Sequence, residues 1–60
     1  MTPKYNLGEV VSFKCNNDIK NGIIVVVDRF GCFECNTEVC YDIEVASEGW
    51  YKHVIESEIV

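Results

Sequence analysis

The stretch Asn21-Gly22-Ile23-Ile24-Val25-Val26-Val27-Asp28-Arg29 decides the reading of the chain: five consecutive β-branched residues, entered through a turn dipeptide and left through charge. Such side chains lose rotamer freedom against the preceding turn of a helix and fit a pleated strand instead. The stretch therefore reads as a central strand. Strict alternation puts Ile24 and Val26 on one face and Ile23, Val25 and Val27 on the other. Both faces are then apolar, and each needs cover. In a chain of 60 residues that cover is the sheet itself, curled until its inner face closes, with loops or a partner half shielding the outer one.

Upstream, Leu7, Val11, Phe13 and Cys15 fall at alternating positions with Ser12 and Lys14 between them, the pattern of a half-buried strand from Leu7 to Cys15. Asn16-Asn17-Asp18 and Lys20-Asn21-Gly22 are turn formers that reverse the chain, leaving Ile19 to fold back as a lid. Downstream, Phe30 to Val39 has no sustained period and reads either as a long hairpin loop or as two strand extensions around a turn. Tyr41, Ile43 and Val45 then alternate with Asp42 and Glu44, a third strand with one dry face. Ala46 to Gly49 is a turn, and Trp50-Tyr51-Lys52-His53-Val54 is a fourth strand. Ile55-Glu56-Ser57-Glu58 fits one 3-10 turn before Ile59-Val60 adds a fifth strand. No segment has amphipathic helical spacing, so the expected class is all-β. A single domain over 1–60 is expected, a five-stranded partly open barrel with a 3-10 turn before the last strand, because closure removes exposed edges.

Ten acidic against five basic residues give a formal charge of −5. Lys4, Lys14, Lys20, Arg29 and Lys52 are scattered, so the phosphate-neutralising stripe that nucleic-acid binding needs is missing, and an anionic membrane surface is disfavoured likewise. No apolar run is long enough to span a bilayer, and Met1-Thr2-Pro3-Lys4 lacks the apolar block of a secretory signal. A cytoplasmic protein is expected, with its four cysteines reduced.

The order and spacing of several fragments resemble the SH3-like small barrels. Gly8-Glu9-Val10-Val11-Ser12-Phe13 looks like their opening strand, and Gly22-Ile23-Ile24 followed by Val27-Asp28 like their second. The run from Trp50 to Val60 is similar to their fourth strand, 3-10 turn and fifth strand. The chain also resembles small uncharacterised SH3-like proteins of Gram-positive bacteria and their mobile elements, which share segments like Tyr41-Asp42-Ile43 and Tyr51-Lys52-His53-Val54. KOW-type relatives of the fold bind RNA or protein, but the basic face expected of an RNA binder is absent here. Fold similarity alone does not license a function.

Cys32, Cys35 and Cys40 form a Cys-x2-Cys-x4-Cys cluster with Cys15 upstream. Thiolates two residues apart can point at one tetrahedral zinc. A convincing zinc ribbon has a second close pair, however, and here the other ligands would be the separated Cys15 and Cys40, with His53 spare. Ordinary thiols acting as small hydrophobes are the preferred reading, and no cofactor is expected. His53 has no motif partner, and neither Asp42 with Glu44 nor Glu56 with Glu58 frames a cleft, so neither an enzyme nor a small-molecule substrate is expected.

The aromatics carry more. Seven rings exceed what so small a barrel can enclose, which leaves some for a surface that binds protein. The expected function is a non-enzymatic interaction module that binds a protein partner, or itself as a homodimer, through Phe30, Phe33, Tyr41, Trp50 and Tyr51. Two alternatives are carried. One is an acidic accessory protein of a mobile element that presents Asp28, Glu34, Glu38, Asp42 and Glu44 in place of phosphates and inhibits a nucleic-acid-binding host factor. The other is a zinc-stabilised barrel using Cys15, Cys32, Cys35 and Cys40.

Overall fold

A computed structural model describes residues 2–31 and 38–60. Four antiparallel strands follow one another across a single sheet: β1 (Val10–Cys15), β2 (Asp18–Asp28), β3 (Cys40–Val45) and β4 (Gly49–Ile55). One 3-10 turn, Glu56–Glu58, follows. The all-β expectation holds. The expected fifth strand is a single antiparallel bridge between Phe13 and Ile59, supported by the Val60 amide donating to the Ser12 carbonyl at 2.9 Å. No helix among the described residues is long and apolar enough to cross a membrane.

β1 and β2 join through Asn16-Asn17, with Cys15 opposite Asp18. Asn16 takes a φ of 56°, a left-handed conformation that asparagine tolerates better than most residues. The chain therefore reverses earlier than its turn formers suggest. Lys20-Asn21-Gly22 lies inside β2, and Ile19, expected to fold back as a lid, is a strand residue opposite Lys14 and 57% exposed. The first strand is also shorter than its period suggests: Gly8, at φ 84°, turns the chain. Leu7 is left exposed, although the Gly8 amide still reaches the Ile24 carbonyl at 2.8 Å.

The inner face is built by Val11 and Phe13 of β1, Ile24 of β2, and Tyr41, Ile43 and Val45 of β3, joined by Val39 and Ile59. Gly22 faces inward opposite Val11. A Cβ there would lie 2.5 Å from Ile43 Cγ2 and 2.6 Å from the Glu44 carbonyl oxygen. Only glycine lets β3 approach β2 so closely at this point, the usual role of glycine where a sheet bends sharply.

Two irregularities reset the alternation. On β2, Ile24 pairs with Ile43 and Val26 with Asp42, so Val25 is an extra residue. A bulge of this kind sends the following side chains to the opposite face. Ile24 is buried, yet Val26 is exposed, while Val27, opposite Tyr41, packs against the core. The expectation that Ile24 and Val26 share a face is thus corrected. On β4, three steps from Val54 to Tyr51 match two from Tyr41 to Ile43. His53 absorbs the difference at φ 60°, and its amide donates to Asp42 Oδ1 at 3.2 Å.

Candidate functional site

Residues directly opposite one another in an antiparallel sheet point to the same face. Val10 pairs with Ile23, Ile23 with Glu44, and Glu44 with Trp50. These four side chains therefore form one row across the outer face, spanning all four strands or roughly 14 Å at the usual strand spacing. Each is exposed, Val10 at 70%, Ile23 at 43% and Trp50 at 54%, and Glu44, which sits between Ile23 and Trp50, is exposed as well. Val26, 40% exposed, extends the apolar surface one rung along β2 beside Asp42. The next rung inward, Ile24, Ile43 and Tyr51, belongs to the opposite face and closes the core.

Of the side chains expected to meet a partner, Trp50 lies in this row and Phe30 is the most exposed large apolar residue described, at 83%. Phe30 follows the end of β2, where its amide donates to Asp28 Oδ1 at 3.0 Å. Tyr51 is half-buried on the inner face, edge-on to Phe13 with ring centroids 5.5 Å apart. Its hydroxyl donates to Glu48, which also pairs with Lys20 at 2.9 Å. The Tyr51 and Lys20 bonds hold the Glu48 carboxyl below its usual range.

Tyr41 does not serve as a surface ring. It is 1% exposed, because alternation along β3 puts it on the same dry side as Ile43 and Val45. Its hydroxyl donates to Glu56 Oε2 at 2.7 Å, and Tyr5 packs edge-on against it. Burial, with that bond, pushes the Tyr41 hydroxyl up to about 12. Glu56 is pulled two ways. Burial pushes its carboxyl up, but the Tyr41 hydroxyl and the Lys4 amide, 3.0 Å from Oε2, prevail and hold it below the usual range. Phe33 lies outside the described residues.

Among the described residues, three of the carboxylates expected to stand in for phosphates accept from local amides. Asp28 is engaged by the Phe30 amide, Glu38 by the Ser57 amide and hydroxyl, and Asp42 by the His53 amide. Glu44, by contrast, makes no ion pair among the described residues, where the single salt bridge is that of Lys20 with Glu48. Glu34 lies outside the described residues.

Of the four cysteines, Cys32 and Cys35 lie outside the described residues. Cys15 pairs with the first residue of β2 and Cys40 with the last, which puts these two at opposite ends of that strand. Cys40 is buried, its thiol directed at the Glu38 carbonyl. Among the described residues no three His, Cys, Asp or Glu side chains converge to hold an ion. An open groove of about 400 Å³ lies where the N-terminal segment crosses the end of β2. Arg29 is its one charged lining residue, beside Pro3, Tyr5, Asn6, Leu7 and Val27.

Trp50 and Phe30, named from the sequence, are exposed. Sequence reasoning sets Ile23 on the outer face without a role and Glu44 only among the phosphate-mimicking carboxylates, while Val10 and Val26 are not singled out. Alternation carried the missing signal: Val10 and Ile23 are the out-of-phase aliphatics flanking Val11 and Ile24. Comparison of the chain with protein-family models, with curated proteins and with solved structures finds no match.

Proposed function

We propose that this protein is a non-enzymatic interaction module that binds a protein partner through the outer face of its sheet. The observation that carries the reading is the exposed row formed by Val10 and Ile23 on adjoining strands and by Trp50 on β4, across Glu44 of β3. Single exposed aliphatics are ordinary, whereas contiguous apolar patches on small proteins commonly mark interaction surfaces. Trp is also among the residues that most often anchor protein interfaces. The architecture that presents this face is, in the same proposal, an SH3-like small barrel in which Ile59-Val60 acts as the closing strand. The bridge from Phe13 to Ile59 and the Val60 amide bond support it.

The phosphate-mimic alternative has less support, since Asp28, Glu38 and Asp42 spend carboxylate oxygens on local amides. The zinc alternative would have to bring Cys15 and Cys40 together from opposite ends of β2.

The test compares the natural chain with a Val10→Ser/Trp50→Ser variant as immobilised baits in a cell lysate, followed by covalent solvent labelling of the recovered complex. A partner kept by the natural chain, lost by the variant and shielding Trp50 from label is the expected result. A bound partner that leaves Trp50 fully labelled would falsify the reading.

A further inference from the structure

We infer that the partner presents a short basic segment to this face, with a lysine or arginine set between apolar residues so that its charge meets Glu44. The inference rests on the proposed use of the outer face and adds the chemistry of what covers it.

The order of residues along the row carries the argument. Glu44 is not at the rim of the apolar surface but inside it, with Ile23 directly opposite on one side and Trp50 directly opposite on the other. A partner cannot cover both without also taking the Glu44 carboxylate out of water. An ionised carboxylate buried without a counter-charge is strongly unfavourable. No ion pair within the described chain provides that charge, so the partner has to. Apolar groups on either side of the partner's cation then meet Val10 and Ile23 at one end and Trp50 at the other. The row, roughly 14 Å long, matches four or five residues of extended chain.

A second copy of this chain fits badly. Two-fold pairing of identical outer faces would bring Glu44 and Asp42 of one copy towards those of the other, between two chains of formal charge −5 each. Like charges juxtaposed in an interface oppose association. The same net charge steers a basic partner inward and disfavours nucleic acid.

The test selects peptides from a phage-displayed library of random 12-residue sequences on the immobilised full chain at low salt. Ile23→Ser/Trp50→Ser serves as the counter-target, with its fold checked by circular dichroism. Val10→Asp, at the most exposed end of the row, replaces it if the double variant does not fold. The expected enrichment is a Lys or Arg flanked by apolar residues. Synthetic copies of the selected peptides should bind Glu44→Gln roughly 30-fold or more weakly. Selection on Glu44→Lys should turn to Asp- or Glu-centred sequences.

Peptides that need Ile23 and Trp50 but carry no central cation, and that bind Glu44→Gln equally well, would overturn this inference and leave the interaction module standing. Sedimentation showing a dimer that Trp50→Ser dissociates would overturn it in favour of self-association. Failure to enrich any sequence over the counter-target would take both readings down together.

Discussion

Ile23 and Ile24 are neighbours on one strand, yet Ile24 is 1% exposed and Ile23 43%. The difference is one of face alone. Behind Ile24 lie Phe13, Ile43 and Tyr41, each nine-tenths or more buried, and the inner face is where the stability of the chain resides. Beside Ile23 lie Val10, Glu44 and Trp50, all turned to solvent. In so small a domain, which hides only about 60% of the surface of its unfolded chain, the core uses one face of the sheet. The other face is left exposed, and substitutions on the two faces should behave differently.

The largest contrast is expected at Ile43, which is 0% exposed. Ile43→Ala removes packing at the centre of the core and should cost about 2–5 kcal/mol in chemical denaturation. A loss below about 1 kcal/mol would mean that the inner face is not the stabilising one.

His53 comes next, because it holds the β4 irregularity in a left-handed conformation. His53→Val should destabilise by about 1–3 kcal/mol, since branching at Cβ makes positive φ costly. His53→Gly should be neutral or stabilising. Equal behaviour of the two variants would show that the conformation at this position is not what matters.

Tyr41→Phe, read in the same denaturation experiment, should cost about 1 kcal/mol for the lost hydroxyl bond to Glu56. It also has a pH signature. The Tyr41 hydroxyl, ordinarily near 10.0, is held at about 12 by burial first and then by Glu56. Between those values the unfolded chain releases the proton while the folded chain keeps it, so the folded state binds more protons and stability falls as pH rises. The contribution is fully present below pH 10 and lost towards pH 12. Lys20 and Tyr51 are also raised, both chiefly through their bonds to Glu48. The phenylalanine variant should therefore flatten the alkaline loss without abolishing it, and an unchanged alkaline slope would contradict the burial of Tyr41.

The smallest effect belongs to the outer face. Val10→Ser and Trp50→Ser should each change stability by no more than about 0.5 kcal/mol while abolishing partner binding. A large loss of stability from either would show that the row is part of the fold and not kept for a partner.

The strands were legible because their cues were local. Branched residues marked β2, the Tyr41, Ile43 and Val45 alternation marked β3, and the polar Glu56-Ser57-Glu58 run marked the 3-10 turn. The site was less legible, for two reasons. Counting rings against barrel size implies that some must be outside, but only the phase of each strand says which. By that test Tyr41 already belonged with its dry neighbours. Phase in turn depends on bulges, and a run of like aliphatics conceals one, so the exposure of Val26 could not be read from the chain. The Val10, Ile23, Glu44 and Trp50 row needed more still: the register of three successive strand pairings, which no single segment encodes.

The concealed irregularity on β2 has a consequence of its own. Val25, Val26 and Val27 are chemically identical, so moving the supernumerary residue from one valine to the next would exchange like for like, while Ile24 with Ile43 and Val27 with Tyr41 could keep their partners at either end. Side-chain chemistry pins the two ends of the strand and is silent about the middle. The location of the defect is thus decided by backbone geometry alone, much as a dislocation in a crystal of one element has no preferred atom.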